Sequence, residues 1–459
     1  MISVKLVAAT KLVGGQVESE FLALASHAAL KCYQAKSPII GEQIDVRKRL
    51  FETSHHTTLE HYSFTFDIEG IAVSDITLGA HLDNPFYNSD QRSGRFCAEM
   101  FVNPDFDMIQ NYIKSLWPEI SGPLLADVMG FVKNGVDIYQ KNIEVATQIV
   151  GNLLVEERPL ASVKYVEQNA PKIAQEQLRM FISTIFPTGF DFTLDHITLA
   201  SLYKAAWSPG LIYLTEQMAK QVLAVYPELS YMFSRRNKAW SPIFTWNFNV
   251  KKKPGFVLRQ IDDVDGVVIP EAEDMYPIDL LHFLPETMDN NVGGIKSEVE
   301  ISLACMGQDQ RHRTIRRSQP VFTGNFYLPP ALMLIPELFT RARGILDFWS
   351  SFTHESCPAT LIAAIAPYGA MVRYVKNGSF NAIFHEQNKR ECFCAQEEIY
   401  HLGCFMRLAV EKEKGKDSPI LQVLQPHCYQ TGKCAEGPRY CGRDISVRES
   451  GNYFPERRV

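Results

Sequence analysis

The sequence lacks an apolar run long enough to cross a membrane. Its longest run, ATLIAAIAPYGAMV at residues 359–372, contains Pro367 and is shorter than the roughly 20 residues that a membrane-spanning helix needs. The N-terminal MISVKLVAATKLVGG has no extended apolar core followed by a cleavage site, and it is typical of a first β-strand. These absences predict a cytoplasmic protein with no membrane partner.

Two glycine-rich phosphate-binding signatures are also missing. No GxGxxG follows a predicted strand, and no GxxxxGK[ST] loop occurs, so neither of these modes of nucleotide binding is expected. A net charge of −6 and a pI near 6.1 exclude the broad positive surface that general nucleic-acid binding requires. We therefore expect no nucleic-acid partner, and any phosphate ligand must be held by side chains.

Cysteine is scarce until late in the chain, since six of the ten cysteines lie in the last hundred residues. Without a secretion signal these cysteines are expected to be reduced thiols or metal ligands rather than disulfides. The tail PHCYQTGKCAEGPRYCGR predicts a structural zinc site at Cys428, Cys434 and Cys441, with His427 or Cys394 as a fourth ligand. An iron–sulfur cluster and a set of reduced thiols without metal are the alternatives.

Local patterns predict a mixture of helices and strands. HYSFTFDIEG alternates apolar residues as a strand does, long amphipathic helices are expected over about 104–182, and a strand is expected at 189–195. A weak repeat relates IFPTGFDFTLD at residues 185–195 to IAPYGAMVRYV at residues 365–375. We therefore expect an α/β (α+β) fold made of two diverged copies of one unit. The predicted boundaries are 1–234, a connector at 235–275, 276–415, and a cysteine-rich tail at 416–459.

Against the acidic background, QDQRHRTIRR at residues 308–317 concentrates four arginines and one histidine. Guanidinium groups stay charged and present a planar fork of donors that matches phosphate oxygens. The cluster follows an apolar, helix-like segment, which favours a presented helix end that holds a pyrophosphate or nucleotide. The plainer alternative is a solvated basic face.

These residues carry a resemblance to a known family, the flavin-dependent thymidylate synthases. The family signature is a helix of the form SRACxxQLVRHR followed by xxSxNExSxRY, and SLACMGQDQRHR at residues 302–313 is similar to its first part only. The first half shows the reverse pattern. SHHTTLEHYSFTFDIEG at residues 54–70 resembles GHxSxLEHxxFTFxIEG, and the distal part of the signature survives as QRSGRF at residues 91–96, whereas Asp83, Asn84 and Pro85 replace RHR.

The C-terminal region extends the resemblance. His385 and Arg390 precede CAQEEI at residues 394–399 with the spacing of the family's His, Arg and HAQWEI. Departures are Gln91 for the family's Glu, Ala363 and Asn381 for arginines, Cys394 for His and Glu397 for Trp.

The resemblance implies an enzyme that converts dUMP to dTMP by reductive methylation, with FAD, NADPH and methylenetetrahydrofolate. It implies Arg390 as the catalytic residue, which stabilises negative charge on the pyrimidine. The implied cofactor-binding residues are Thr57, Glu60, Arg311, His312, Arg313 and His385. The implied substrate-binding residues are Gln91, Ser93, Gly94, Arg95, Gln308, Arg311 and Arg390.

Each half retains what the other has lost, and the family builds its sites between subunits. The resemblance therefore implies one composite site per chain, with two chains forming a homodimer equivalent to a pseudo-tetramer. The alternatives are a degenerate, non-catalytic nucleotide- or flavin-binding protein and a flavin-dependent modification of another pyrimidine nucleotide. A third alternative is RNA binding through RHRTIRR at residues 311–317 and KKK at residues 251–253.

Overall fold

The computed structural model describes residues 2–13, 17, 19–82, 87–94, 97, 99–234, 236, 240–270, 284–353, 355–434, 436–437, 440–446 and 454–459. Its residues group into two compact units. Unit 1 comprises Met1–Ser93, Asp107–Ile120 and Ile185–Ser241, and unit 2 comprises Gly94–Phe106, Ser121–Thr184 and Pro242–Val459.

The strands form one sheet in each unit. Their bounds are β1 Ser3–Ala9, β2 Ser63–Ala72, β3 Tyr87–Gln91, β4 Pro187–Asp195, β5 Ile243–Phe244, β6 Val250–Lys251, β7 Gly255–Ile261, β8 Gly294–Ser302, β9 Arg316–Arg317, β10 Val321–Tyr327 and β11 Ala370–Ser379. The helices are α1 Glu20–Tyr33, α2 Val73–Asp75, α3 Glu99–Val102, α4 Phe106–Leu116, α5 Gly122–Glu157, α6 Val163–Leu178, α7 His196–Ala205, α8 Pro209–Val225, α9 Leu303–Asp309, α10 Pro336–Ser350, α11 Ala359–Ala364, α12 Phe380–Arg390, α13 Glu397–Lys414 and α14 His427–Thr431.

The two sheets repeat one topology. The sheet of unit 1 has the order β1-β2-β4-β3, and the sheet of unit 2 contains β7-β8-β11-β10 in the same arrangement, with β5 added beyond β10. All three pairings within each set of four are antiparallel. The predicted sequence repeat falls on β4 and β11, which are equivalent in this order. The shared topology supports the predicted duplication, and the predicted class of antiparallel and mixed sheets with long helices is confirmed.

Residues 243–261, within the segment predicted as a connector, supply β5, β6 and β7. β7 pairs antiparallel with β8, as β1 pairs with β2, so the second repeat of the topology begins before residue 276. The segment shows little periodicity because β5 and β6 are two residues long and pair in parallel with β10 at the edge of the sheet. The domain boundaries stay a prediction.

Short polar residues start the helices that follow the strands. Asp195, the last residue of β4, accepts a hydrogen bond from the Thr198 amide at 2.8 Å, and Ser379, the last residue of β11, accepts one from the Ala382 amide at 3.3 Å. These caps satisfy amides that have no partner within the helix. The chain therefore passes directly from strand to helix at equivalent places in both sheets.

The predicted long helices are present as α4, α5 and α6. In unit 2, α5 packs along α6 and against the short helical turn Arg179–Phe181 that follows α6. Gly135 allows the closest approach, because a Cβ placed there would lie 2.2 Å from the carbonyl oxygen of Phe181. Within the described residues, no helix is both long and apolar enough to cross a membrane.

We predict that Gly135→Ala lowers the melting temperature by about 3–8 °C, since the added methyl group displaces backbone and overpacking costs about 1–3 kcal/mol. Gly130→Ala is the matched control in the same helix, where the nearest atom is 3.9 Å from the added Cβ. That control should be neutral or stabilising, because alanine favours the helix by about 1 kcal/mol. Thermal unfolding followed by circular dichroism measures both, and equal melting temperatures would contradict the packing argument.

Candidate functional site

The predicted Arg-His-Arg segment follows α9. Ser302 ends β8 and caps α9, with its hydroxyl accepting from the Cys305 amide at 3.1 Å. The chain therefore presents Arg311, His312 and Arg313 just beyond the C-terminal end of this helix, where positive charge is favourable. Arg311 is exposed, Arg313 is half-buried and His312 is buried.

A buried network of charges holds the turn that carries these residues. Asp309, the last residue of α9, accepts from Arg317 Nε and from Lys376 Nζ, each at 2.5 Å, and from the Tyr374 hydroxyl at 2.7 Å. Lys376 also pairs with Glu386 at 2.6 Å. Although burial opposes ionisation, Arg317 and Lys376 hold the pKa of Asp309 well below its usual range. Arg317 is thus part of the scaffold, which removes one arginine of the sequence cluster from ligand binding.

The predicted residues of the second half converge in unit 2. Arg390, the last residue of α12, donates from Nε to His312 Nε2 at 2.8 Å and from Nη2 to the carbonyl oxygen of Gln308 at 2.8 Å. The rings of His312 and His385 lie edge to face with centroids 5.3 Å apart. Residues separated by almost eighty positions in the sequence therefore form one cluster, as the resemblance implies.

Two buried polar atoms of this cluster have no hydrogen-bond partner among the described residues. Burial and the adjacent Arg390 keep the pKa of His312 well below its usual value, so the ring is neutral. Because Nε2 accepts from Arg390, the proton lies on Nδ1. His312 Nδ1 and Gln308 Oε1 are buried without a hydrogen-bond partner in the described part of the chain. They offer one donor and one acceptor to a ligand, since buried polar groups are normally satisfied.

A cavity of about 610 Å³ in unit 2 adjoins this cluster, a size suited to a nucleotide-sized ligand. Its cationic wall brings together four of the predicted residues, namely Arg311, His312, His385 and Arg390. Five thiols also line this cavity, namely Cys392, Cys394, Cys428, Cys434 and Cys441. The cavity therefore contains the predicted metal ligands together with the predicted nucleotide-binding residues.

Sequence reasoning missed Arg179, which follows α6 and is 6% exposed. In unit 2 its guanidinium lies over the Tyr368 ring at 5.2 Å, and Nη1 would lie 3.3 Å from a Cβ placed at Gly94. Gln175 holds the same loop, donating to the Gly94 carbonyl at 3.0 Å. Gly94 is a predicted substrate-binding residue, so Arg179 adds a buried cation beside it. The available signal was an arginine within the apolar segment LRMFISTIF.

The predicted residues of the first half lie mostly in unit 1. Thr57 is exposed in the single helical turn His56–Leu59, and Glu60 is exposed directly after it. Gln91 ends β3 opposite Phe190, and Ser93 follows two residues later. Arg95, Asp83, Asn84 and Pro85 lie outside the described residues. The assembly of these residues with those of unit 2 into a composite site stays a prediction.

The predicted thiol ligands Cys428, Cys434, Cys441 and Cys394 line one cavity together with Cys392. The Cys394 thiol forms side-chain hydrogen bonds with both Cys392 and Cys441, and these contacts lower the pKa of Cys392 to about 7 and that of Cys441 to about 6. Over the described ranges, no group of three or more Cys, His, Asp or Glu residues has the arrangement of metal ligands. The predicted zinc site at Cys428, Cys434 and Cys441 is not evident in this geometry.

Two carboxylates are buried where α13 begins. Glu398 accepts from the Ser302 amide at 2.7 Å and bonds with the Ser302 hydroxyl, and Glu397 accepts from the Tyr327 hydroxyl at 3.1 Å. Burial raises the pKa of Glu397 to about 7 and that of Glu398 to about 8. Glu398 therefore joins α13 to the start of α9 and is protonated over much of the physiological range.

We predict that the protein loses stability as pH rises from about 5 to 8. A carboxyl group with a raised pKa in the folded state binds a proton that the unfolded chain has already released, so its stabilisation is complete below about pH 4.5 and lost through about pH 8. Glu398→Gln, which can hydrogen-bond to Ser302 without a charge, should reduce the fall in melting temperature between these pH values. Glu413→Gln, an exposed glutamate on the same helix, should leave it unchanged, and equal falls in all three proteins would contradict the assignment.

Residues 16–228 match a family model described as Thymidylate synthase complementing protein. This match confirms the family resemblance for the first half of the chain, and it covers slightly less than half of the 459 residues. No curated protein sequence matches the chain significantly.

Among solved structures, a UMP/dUMP methylase PolB from Streptomyces cacaoi bound with 5-Br dUMP is similar, at 15% identity and a TM-score of 0.31. That match covers 51% of this chain and 95% of the other. Thymidylate Synthase X from Helicobacter pylori with FAD and dUMP is similar at 16% identity and a TM-score of 0.29, covering 51% of this chain and 97% of the other. At these scores neither structure bears on the function of this chain.

Proposed function

Because residues 16–228 match a family model described as Thymidylate synthase complementing protein, we propose that the chain is a flavin-dependent thymidylate synthase-like enzyme. The reaction is the reductive methylation of dUMP to dTMP, with methylenetetrahydrofolate as the carbon donor and NADPH as the reductant. The observation that carries the proposal is the convergence of Gln308, His312, His385 and Arg390 beside one cavity. This convergence lies in the half of the chain that the family model does not match.

The residues of unit 2 fit a bound flavin nucleotide. Arg311 is exposed at the cavity and supplies a permanent positive charge, and the neutral His312 offers a buried Nδ1–H donor. Arg311, His312, Arg313 and His385 would hold FAD, with Thr57 and Glu60 from the first half. When bound, FAD supplies the redox chemistry and the transfer of the methylene carbon.

Arg390 is the proposed catalytic residue. Its two bonds, to His312 and to the Gln308 carbonyl, fix the guanidinium before substrate binds. A preorganised cation stabilises the negative charge that develops when the pyrimidine loses its N3 proton, which makes C5 more nucleophilic. Gln308, Gln91, Ser93, Gly94, Arg95 and Arg311 would position the nucleotide.

Gln91 is neutral where the family has a glutamate, and this change bears on which pyrimidine nucleotide binds. An amide keeps hydrogen-bonding capacity but lacks the charge of the family's glutamate. The buried Ala363 likewise removes an expected arginine. These changes favour, as a second candidate, modification of a related pyrimidine nucleotide, and a non-catalytic flavin-binding protein is the remaining alternative. A cytoplasmic homodimer, equivalent to a pseudo-tetramer, and a structural zinc ion belong to the proposal as expectations.

The first test is the absorbance spectrum of the purified protein while dUMP is added. We expect flavin bands that shift as the nucleotide binds, and formation of dTMP when NADPH and methylenetetrahydrofolate are supplied. Arg390→Lys should retain flavin but lower kcat/KM for dUMP by about 10²–10³-fold, because lysine cannot reproduce the two fixed bonds. Arg343→Lys, an exposed arginine on α10, is the matched control and should behave as the wild type.

Different results separate the alternatives. Flavin bands that shift with UMP rather than dUMP would favour a related nucleotide as substrate. Bound flavin without turnover of any pyrimidine nucleotide would favour the non-catalytic alternative. A protein that stays colourless after FAD is added would contradict the enzyme proposal.

If the site is composite, substitutions in either half of the chain should change the affinity for dUMP. Gln91→Leu should weaken dUMP binding about tenfold, which corresponds to the loss of a hydrogen bond worth about 1.4 kcal/mol. Asp90→Asn is the control, since Asp90 is an exposed neighbour on the same strand. The spectral titration measures both variants. Unchanged affinity in Gln91→Leu, alongside weakened affinity in Arg311→Ala, would restrict the site to the second half.

A further inference from the structure

One face of α12 forms a wall of the 610 Å³ cavity in unit 2. His385 and Lys389 are four residues apart on this helix, so they lie on the same face, one turn apart. Both line the cavity, and the Lys389 side chain is exposed there. The family resemblance gives roles to His385 and Arg390 but none to Lys389. This lysine is therefore a cation at the candidate site that the proposed function does not yet use.

The wall continues from Lys389 to Arg311 through two imidazole rings. The rings of His385 and His312 lie edge to face with centroids 5.3 Å apart, and Arg311 directly precedes His312 in the chain. Burial, with Lys389 and Arg390 close by, lowers the pKa of His385, so this ring is uncharged near neutral pH. One exposed cation therefore adjoins each ring of a neutral pair.

Hydrogen bonds fix the end of α12 where it reaches the cavity. Asn388 donates from Nδ2 to Gln430 Oε1 on α14 at 3.1 Å, and Arg390 makes the two hydrogen bonds that hold its guanidinium. Both neighbours of Lys389 are thus tied to other elements. The Lys389 side chain itself forms no hydrogen bond or ion pair with any residue that the structure describes. Its backbone is held in place while its ammonium group is available to a ligand.

Positive charge exceeds negative charge among the side chains of this cavity. The described residues that line it include one carboxylate, Glu436, and four cations, namely Arg311, Lys389, Arg390 and Arg443. Asp309 and Glu386 also attract Arg390, but both carboxyl groups are buried and pair with Lys376. Like charges that line one cavity repel one another and concentrate the field within it. The cavity therefore favours an anion with more than one negative charge.

A single phosphate and a pyrophosphate would meet this wall differently. One phosphate group contacts the cation beside one ring, whereas two linked phosphates direct oxygens toward the cations beside both rings. Neither Arg311 nor Lys389 has an ion-pair partner in the described ranges. His312 lies next to Arg311 and has a buried Nδ1–H without a partner in the same ranges. The wall therefore offers two separate cations and a neutral donor, which matches the extended charge of a pyrophosphate.

We propose that Lys389 and Arg311 together bind the two phosphates of a pyrophosphate group, so that Lys389 makes this cavity select a nucleotide with two linked phosphates. The inference rests on the proposed function for the identity of the ligand, since FAD contains a pyrophosphate whereas dUMP and FMN each contain one phosphate. Inorganic pyrophosphate presents the same chemistry without the nucleoside and the flavin. It is therefore the probe that tests the cations alone.

The experiment is isothermal titration calorimetry of the full chain with inorganic pyrophosphate and with inorganic phosphate at one ionic strength. Any bound flavin is first removed by dialysis, and its removal is checked from the absorbance spectrum. We expect pyrophosphate to bind at least about tenfold more tightly than phosphate, because it gains a second charge-assisted contact. Lys389→Gln should weaken pyrophosphate binding about tenfold and bring the two affinities close together.

Two further variants make the assignment specific. Lys389→Arg keeps the positive charge at the same position and should keep the preference for pyrophosphate. Lys412→Gln is the matched control, because Lys412 is an exposed lysine on α13 that is not among the residues lining the cavity, and it should bind both anions as the wild type does. Far-UV circular dichroism of each variant separates loss of binding from loss of the fold.

Three results would overturn the proposal. One is equal affinity of the wild-type protein for phosphate and pyrophosphate, or no binding of either. The second is unchanged pyrophosphate affinity in folded Lys389→Gln. The third is an equal loss of pyrophosphate affinity in Lys389→Gln and Lys412→Gln, which would show that the anion responds to the net charge of the protein and not to this wall.

The outcome for this wall can be told apart from the outcome for the enzyme. Pyrophosphate binding that depends on Lys389, in a protein that forms no dTMP, would support the wall and contradict the proposed activity. Formation of dTMP by the wild type, with unchanged pyrophosphate affinity in Lys389→Gln, would overturn the role of Lys389 alone.

Discussion

The second half of the structure depends on the buried network around Asp309. Asp309 ends α9, Lys376 lies on β11, Arg317 forms part of β9, and Glu386 lies on α12, so four elements meet at one set of charges. Two cations, two carboxyl groups and the Tyr374 hydroxyl bond to one another there, and Glu386 Oε2 is left without a hydrogen-bond partner among the described residues. Breaking such a network by removing one member leaves an unpaired buried charge, which costs about 3–5 kcal/mol.

The network also determines where the candidate ligand-binding groups lie. It holds the end of α9, and therefore the turn carrying Arg311 and His312, against α12, and α12 ends at Arg390. Arg390 then bonds to His312 and to the main chain of Gln308. The charges that face the cavity are thus supported by other charges that never reach it. This division explains why a cluster of similar arginines contains both scaffold and site residues.

The two halves share one sheet topology but differ in the charged residues and thiols at their helix ends. The equivalent strands β4 and β11 both lead through a polar cap into a helix, and the buried ion network around Asp309 lies in the second unit. Unit 2 also contains a group of thiols and buried arginines at the start of α13. A duplicated fold can specialise in this way because its backbone pattern is specified by apolar alternation and caps, which leave the loop and helix-end residues free to change.

Several features were determined by the sequence alone. The alternation in HYSFTFDIEG predicts β2, the repeat at Ile185 and Ile365 coincides with β4 and β11, and the order of QxxRHR, His385 and Arg390 predicts a cluster that the structure contains. These features are local, or are carried by family motifs. The two-residue strands β5 and β6 were missed because so short a stretch has no period, and their pairing with β10 is a long-range contact.

Tertiary structure alone decided which charged residues serve the site. Arg311 and Arg317 are alike in sequence, but Arg317 is paired with Asp309 and Arg311 is exposed at the cavity. Arg179 was not predicted as a site residue, because its position beside Gly94 depends on the packing of α6. The spacing of Cys428, Cys434 and Cys441 predicts one group of thiols, and folding brings Cys392 and Cys394 to the same cavity. Sequence spacing records distance along the chain, and contacts between residues hundreds of positions apart are set by how the sheets and helices pack.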